Sequence, residues 1–173
     1  MTQDIEAKRF RDLLRLLDAF TTLNEQLFAL IDSKIDAMKQ GDLHAMRDCG
    51  EREQEMVQRL QEREGFRRQL MDAIGAELGL SSRAARAMCI TELGSRLSEP
   101  QRTALTDAAD RLRRAIFKVR QANRLAGVIS REILHHLKWV FAAVRPRDEK
   151  PAGYAGNGDL VPSCGTPMYE TVG

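Results

Sequence analysis

Aromatic residues make up 5% of this 173-residue chain, and proline appears only five times. So little of either argues against a β-sandwich and against an enzyme with a large aromatic pocket. Cysteine is sparse too: Cys49, Cys89 and Cys164 are odd in number and widely spaced. They read as reduced thiols, with neither a disulfide framework nor a CxxC zinc site. Charge of one sign is also missing, because 27 basic and 25 acidic residues leave a formal +2. No global field recruits nucleic acid or an anionic membrane, and a nucleic-acid partner is not expected. The densest apolar run, "WVFAAV", falls far short of the roughly 20 residues of a spanning helix. The opening "MTQDIEAKRF" has no basic segment feeding an apolar core. The expectation is a cytoplasmic protein with no membrane insertion.

What is present is helical patterning. From about Ile5 to Gln40, Phe10, Leu17, Asn24, Ile31 and Met38 recur every seven residues, with Leu13, Phe20, Leu27 and Lys34 beside them. Leu16, Leu23 and Leu30 widen the stripe beyond what a two-stranded coil buries, so this helix needs two neighbours. Gly41 is the expected helix end and Asp42 the next N-cap. A second helix, roughly Leu43 to Leu78, is highly charged, weakly striped and interrupted by Gly50 and Gly65. Breaks at Gly79 and near Gly94 bracket a short helix. Ser98, Pro100 and Gln101 form a capping-box pattern at the start of a final helix that runs to about Val144. Its proposed seam is Leu105, Ala109, Leu112, Ile116, Val119, Asn123, Ala126, Ser130, Ile133, Leu137, Val140 and Val144, a rod of roughly 65–70 Å. Asn24 and Asn123 in that seam read as register-setting amides. The fold expectation is all-α: an elongated antiparallel bundle of about three long helices plus a short one. Residues 1–145 form a single domain, and 146–173 a Gly/Pro-rich tail too poor in large apolar residues to fold alone.

Catalytic chemistry finds no foothold. Glu132 and His135 have di-iron spacing, but such sites need a second Glu-x-x-His and two further glutamates. No second Glu-x-x-His exists, so neither metal nor cofactor is expected. Ser, His and Asp residues lack a nucleophile motif, and no glycine loop follows a strand. The run Arg111, Arg113, Arg114, Lys118, Arg120, Arg124 reads as a solvated, salt-bridged face.

The anomaly is "LAGVISREILHHLKWVFAAV". At 100° per residue its apolar arc exceeds about 200°, roughly twice that of an ordinary surface helix. Val128, Ile129, Ile133, Leu137, Trp139, Val140 and Phe141 are the expected contact residues, with Trp139 as anchor. Three occupants compete for this surface: a partner's amphipathic helix, a second copy forming a homodimer, or the chain's own tail. A self-associating structural or regulatory coiled coil without an export role is the alternative reading.

Five stretches in order, "LLRLLDAFTTLNEQLFALI", "QGDLHAM", "REGFRRQLMDAIGAELGL", "QANRLAGVI" and "GYAGNGD", resemble the FlgN-type flagellar export chaperones over nearly the whole chain. Family members often carry a second asparagine one turn from the first, which is absent here. The tail is also extended by "LVPSCGTPMYETVG". The resemblance implies a cytoplasmic chaperone, not an enzyme. It would bind C-terminal helices of the hook-associated proteins FlgK and FlgL at the hook–filament junction and deliver them to the type III export gate. Tyr154 in its Gly-rich linker is the expected gate-docking element or groove cover.

Overall fold

The computed structural model describes residues 5–144, with the backbone of residues 153–154 and 160–161. Three long helices dominate: α1 (Ala7–Gln40), α2 (Leu43–Glu77) and α5 (Glu99–Val144). Two short helices, α3 (Ser82–Ala87) and α4 (Ile90–Arg96), stand where the sequence suggested one. The extra break falls at Met88–Cys89, both in extended backbone, whereas Gly94 lies inside α4. Two-residue strands β1 (Gly153–Tyr154) and β2 (Leu160–Val161) pair antiparallel. The fold is all-α in its described core. The remaining residues of the expected 146–173 tail lie outside the described residues. The chain divides into two compact units, Met1–Arg131 and Glu132–Gly173.

Within the first unit, local chemistry sets each reversal. Gly41 has φ 69°, and Asp42 N–H donates to the Ala37 carbonyl while Gly41 N–H donates to that of Met38. This paired closure satisfies the last free carbonyls of α1 and uses a backbone conformation glycine adopts without strain. Asp42 then caps α2 at once, its Oδ1 accepting from Ala45 N–H at 3.0 Å. The same closure ends α2, where Gly79 has φ 68° and Leu80 N–H donates to the Gly75 carbonyl at 2.8 Å. The capping box expected for α5 does not close on itself. Gln101 Nε2 instead reaches the Ile5 carbonyl at 3.4 Å, tying the start of α5 to the start of α1.

Cross-helix pairs fix the directions. Arg9 with Glu77 and Lys34 with Glu53 (2.7 Å) make α1 and α2 antiparallel. Gln101 with Ile5, Arg111 with Asp18 (2.9 Å) and Ser130 with Met38 advance together, so α1 and α5 run parallel. One core cluster joins Phe10, Leu13, Leu17, Met71, Ile74 and Leu105 to Leu93 and Leu97 of the short-helix segment. A second joins Leu27, Ile31 and Ile35 to Val119, Ala122 and Ala126. Burial of each Leu or Ile contributes about 1.5–3 kcal/mol before chain entropy is counted. In α2 only Cys49, Met71, Ile74 and Gly75 are fully buried, in keeping with its weak stripe, while Met56, Leu60 and Leu70 are half-buried against the core clusters.

Through the first unit the α5 seam keeps most of its expected course, with Ala109 buried and Ile116 half-buried, and departs from it at Asn123. Leu105, Val119 and Ala126 are buried and Leu112 half-buried, as expected. Ala108, Ala115 and Ala122 are buried as well, a second row one residue before Ala109, Ile116 and Asn123. Alanine lets neighbouring helices approach closely, and it is this small-residue row that turns inward. Asn123 is consequently exposed and sets no register. Asn24 is buried, but its Nδ2 donates to the Phe20 carbonyl of its own helix at 2.8 Å.

Candidate functional site

The residues singled out for partner contact lie along α5, and they separate into three groups. Ile129 is half-buried and packs on the Leu27–Ile31–Ile35 cluster, so it belongs partly to the core of the first unit. Ile133 and Val140, one heptad apart, are half-buried. Val128, Leu137, Trp139 and Phe141 are exposed; Leu137 is 43%, Trp139 66% and Phe141 69% accessible. Leu134 and Val144 are exposed beside them. Val144 closes the proposed seam and Leu134 flanks it, and neither was among the expected contact residues.

The geometry around Trp139 is that of a surface aromatic held by its own helix. His136 lies one turn earlier, with ring centroids 6.3 Å apart and planes at 26°, a stacked pair. The offset stack fixes the indole against the helix without removing it from water. At 100° per residue Trp139 stands on one flank of the Ile133–Leu137–Val140 row and Leu134 and Phe141 on the other, and exposed Trp, Phe and Leu side chains are residue types that interface centres favour. Tyr154 pairs with Leu160 through backbone in the β1–β2 ladder, and its side chain lies outside the described residues.

The remaining surfaces offer no reaction chemistry. A cavity of about 280 Å³ opens between α1, α2, α4 and α5, and its walls are mainly apolar, including Leu13, Phe20, Met71, Leu93 and Ile116. Its only charged lining residues, Glu64 and Arg67, neutralise each other through two hydrogen bonds at 2.7 and 2.9 Å. Those bonds hold the Glu64 carboxyl below its ordinary value, the reverse of what a general acid requires. Among the described residues no three His, Cys, Asp or Glu side chains converge as metal ligands, and Glu132 and His135 are both exposed. No helix among the described residues is long and apolar enough to cross a membrane.

The described residues thus form a helical bundle whose last helix carries exposed apolar side chains. The model of the family described as FlgN protein matches residues 1–162, and the chain belongs to that family. It is accordingly a flagellar export chaperone, from a family of chaperones and not of enzymes. No curated protein and no solved structure matches the chain.

Proposed function

We propose that this chaperone binds the C-terminal helices of the hook-associated proteins FlgK and FlgL in the cytoplasm and hands them to the flagellar export gate. The observation that carries the reading is the exposed apolar arc late in α5, with Trp139 66% accessible on one flank and Phe141 69% on the other. Cargo ends that assemble only outside the cell expose apolar stripes while they wait, and such stripes aggregate. Laying one stripe against Val128, Ile133, Leu137, Trp139, Val140 and Phe141 removes both surfaces from water together, and no nucleotide enters that step. Ordering of the cargo segment costs free energy, which keeps the complex releasable.

In this reading residues 1–145 act as the folded domain and 146–173 as an appended tail, with Tyr154 as the element that docks on the gate. The test is co-expression with FlgK or FlgL, comparing the wild-type chain, a Leu137→Ser/Trp139→Ser variant and a chain ending at Arg145. Cargo should follow the wild type and not the double variant. The shortened chain should stay folded but lose gate or cargo binding. Equal cargo recovery by the double variant removes the proposed face, and unchanged binding of both partners by the shortened chain removes the role of the tail. A stable mass of twice 19.5 kDa that excludes cargo would favour self-association instead.

A further inference from the structure

The outward face of α5 before Arg131 is a different kind of surface from its last turns. From Arg111 to Arg131 the sequence holds seven cations and no carboxylate, bounded by Asp110 and Glu132. Two of the seven are spoken for within the bundle: Arg111 pairs with Asp18 at 2.9 Å and Arg113 with Asp110 at 2.7 Å. Arg114, Lys118, Arg120 and Arg124 are exposed, and among the described residues no carboxylate lies within 4.0 Å of them. In α2, by contrast, cations and carboxylates alternate along the helix, and Arg47 pairs with Glu51 and both Arg67 and Arg68 with Glu64. The same α5 face exposes Phe117 (60%) and Leu125 (50%).

At 100° per residue Phe117 falls opposite the buried row, and Gln121 and Leu125 continue its i, i+4 ridge round to the edge of that row, with Arg114 and Lys118 on one side of the ridge and Arg120 and Arg124 on the other. An apolar line with like charges on both flanks is half of a helix pair whose other half carries acidic flanks. We infer that this face of α5 docks an acidic amphipathic helix of a partner protein, at a site separate from the Trp139 patch. Charge complementarity selects that occupant. Phe117 and Leu125 are two isolated side chains about 12 Å apart along the helix, too little apolar surface to embed a helix in lipid. They do match the repeat of one facing helix. The aromatic series that would stack successive nucleotide bases is also absent, since Phe117 is the only aromatic between Phe66 and Trp139.

The inference is tested on the full chain with two labelled synthetic helices that share a Leu seam, one with Glu and one with Lys at the flanking positions. Fluorescence anisotropy should show the Glu-flanked helix binding at least tenfold more tightly than the Lys-flanked one. Raising salt from about 0.05 to 0.5 M should weaken it by about tenfold or more, as screening of exposed charges requires. Arg114→Glu/Arg120→Glu/Arg124→Glu should reverse the preference between the two helices, with helicity by circular dichroism confirming the fold. The Phe117→Ser/Leu125→Ser variant should weaken the Glu-flanked helix further at high salt than at low. Leu137→Ser/Trp139→Ser should leave the preference for the Glu-flanked over the Lys-flanked helix intact, which distinguishes the site from the cargo face. Equal binding of the two helices, or a triple reversal without effect, overturns the inference. So does uptake of the chain by phosphatidylglycerol vesicles with no preference between the peptides.

Discussion

Replacing Trp139 by Ala separates a binding surface from a structural one. A Trp side chain offers about 150–250 Å² for burial, and two-thirds of Trp139 faces water. About 100–165 Å² is therefore left for a partner to cover, worth about 2.5–4 kcal/mol at 25 cal/mol per Å². Fixing the indole and its neighbours on binding costs about 1 kcal/mol. The net loss for Trp139→Ala is about 1.5–3 kcal/mol, or roughly 10- to 150-fold in Kd. Folding stability should change by no more than about 0.5 kcal/mol, the usual range for an exposed position. Calorimetric titration with a C-terminal FlgK or FlgL helix measures the first quantity, and urea unfolding followed by circular dichroism the second. Trp139 is the only tryptophan of the chain, so in the wild type its emission should shift to the blue as cargo covers it. Binding within threefold of wild type would refute the reasoning, as would a stability loss above about 1 kcal/mol, which would place the indole in the fold's own core.

Other substitutions probe the bundle itself. A Cβ at Gly75 would overlap the Ala85 methyl, where α2 and α3 meet, whereas Gly50 and Gly65 have open space around them. Gly75→Ala should cost about 1–3 kcal/mol of stability, while Gly50→Ala and Gly65→Ala should add about 0.5–1 kcal/mol; thermal melts distinguish the two signs. Leu105→Ala removes a fully buried side chain of the first core cluster and should lower stability by about 2–5 kcal/mol, read by urea unfolding. Hydrogen bonds from Arg67 hold Glu64 below its ordinary 4.5, and those from Arg86 hold Asp72 below its ordinary 3.8. A carboxyl whose folded value is depressed stabilises fully above the unfolded value and loses that contribution as pH falls through the folded one. Urea midpoints should therefore drop as pH falls below about 4.5, and Asp72→Asn and Glu64→Gln should each flatten that dependence.

Much of the bundle was legible because its signals are local. Gly41 followed by Asp42 can end one helix and cap the next within two residues, and both hydrogen bonds formed as expected. The width of the α1 stripe called for two neighbours, and α1 shares its clusters with both α2 and α5. What could not be read was which of two adjacent residues turns inward. Ile116 and Asn123 drew the seam because one is bulky and the other is a familiar register device, yet Ala115 and Ala122 are the fully buried members of each pair. Hydrophobicity scales reward large side chains, whereas the approach of three helices along α5 rewards small ones. Phe117 and Leu125 look like ordinary apolar residues in the sequence and are exposed outside that buried row. The exposed patch around Trp139 was legible from its arc alone, because no single stripe accommodates that many large side chains.

The register of the first unit gives a physical reason why exposed apolar side chains are concentrated late in α5. Met38 stands level with Ser130, and α1 contributes only Lys39 and Gln40 before Gly41 closes it. The parallel pairing of α1 with α5 thus uses up α1 at the very level where α5 continues as an apolar helix to Val144. A sequence optimised only for a closed bundle would turn polar there. Retaining Leu134, Leu137, Trp139, Phe141 and Val144 as exposed side chains carries an aggregation cost that a folding role does not explain and a docking role does. Replacing all five by Ser or Gln should therefore raise solubility and leave the melting temperature of the bundle within a few degrees of wild type. Cargo binding should be lost at the same time. If solubility and melting both collapsed, these side chains would belong to a core, and the chaperone would have to hold its cargo elsewhere.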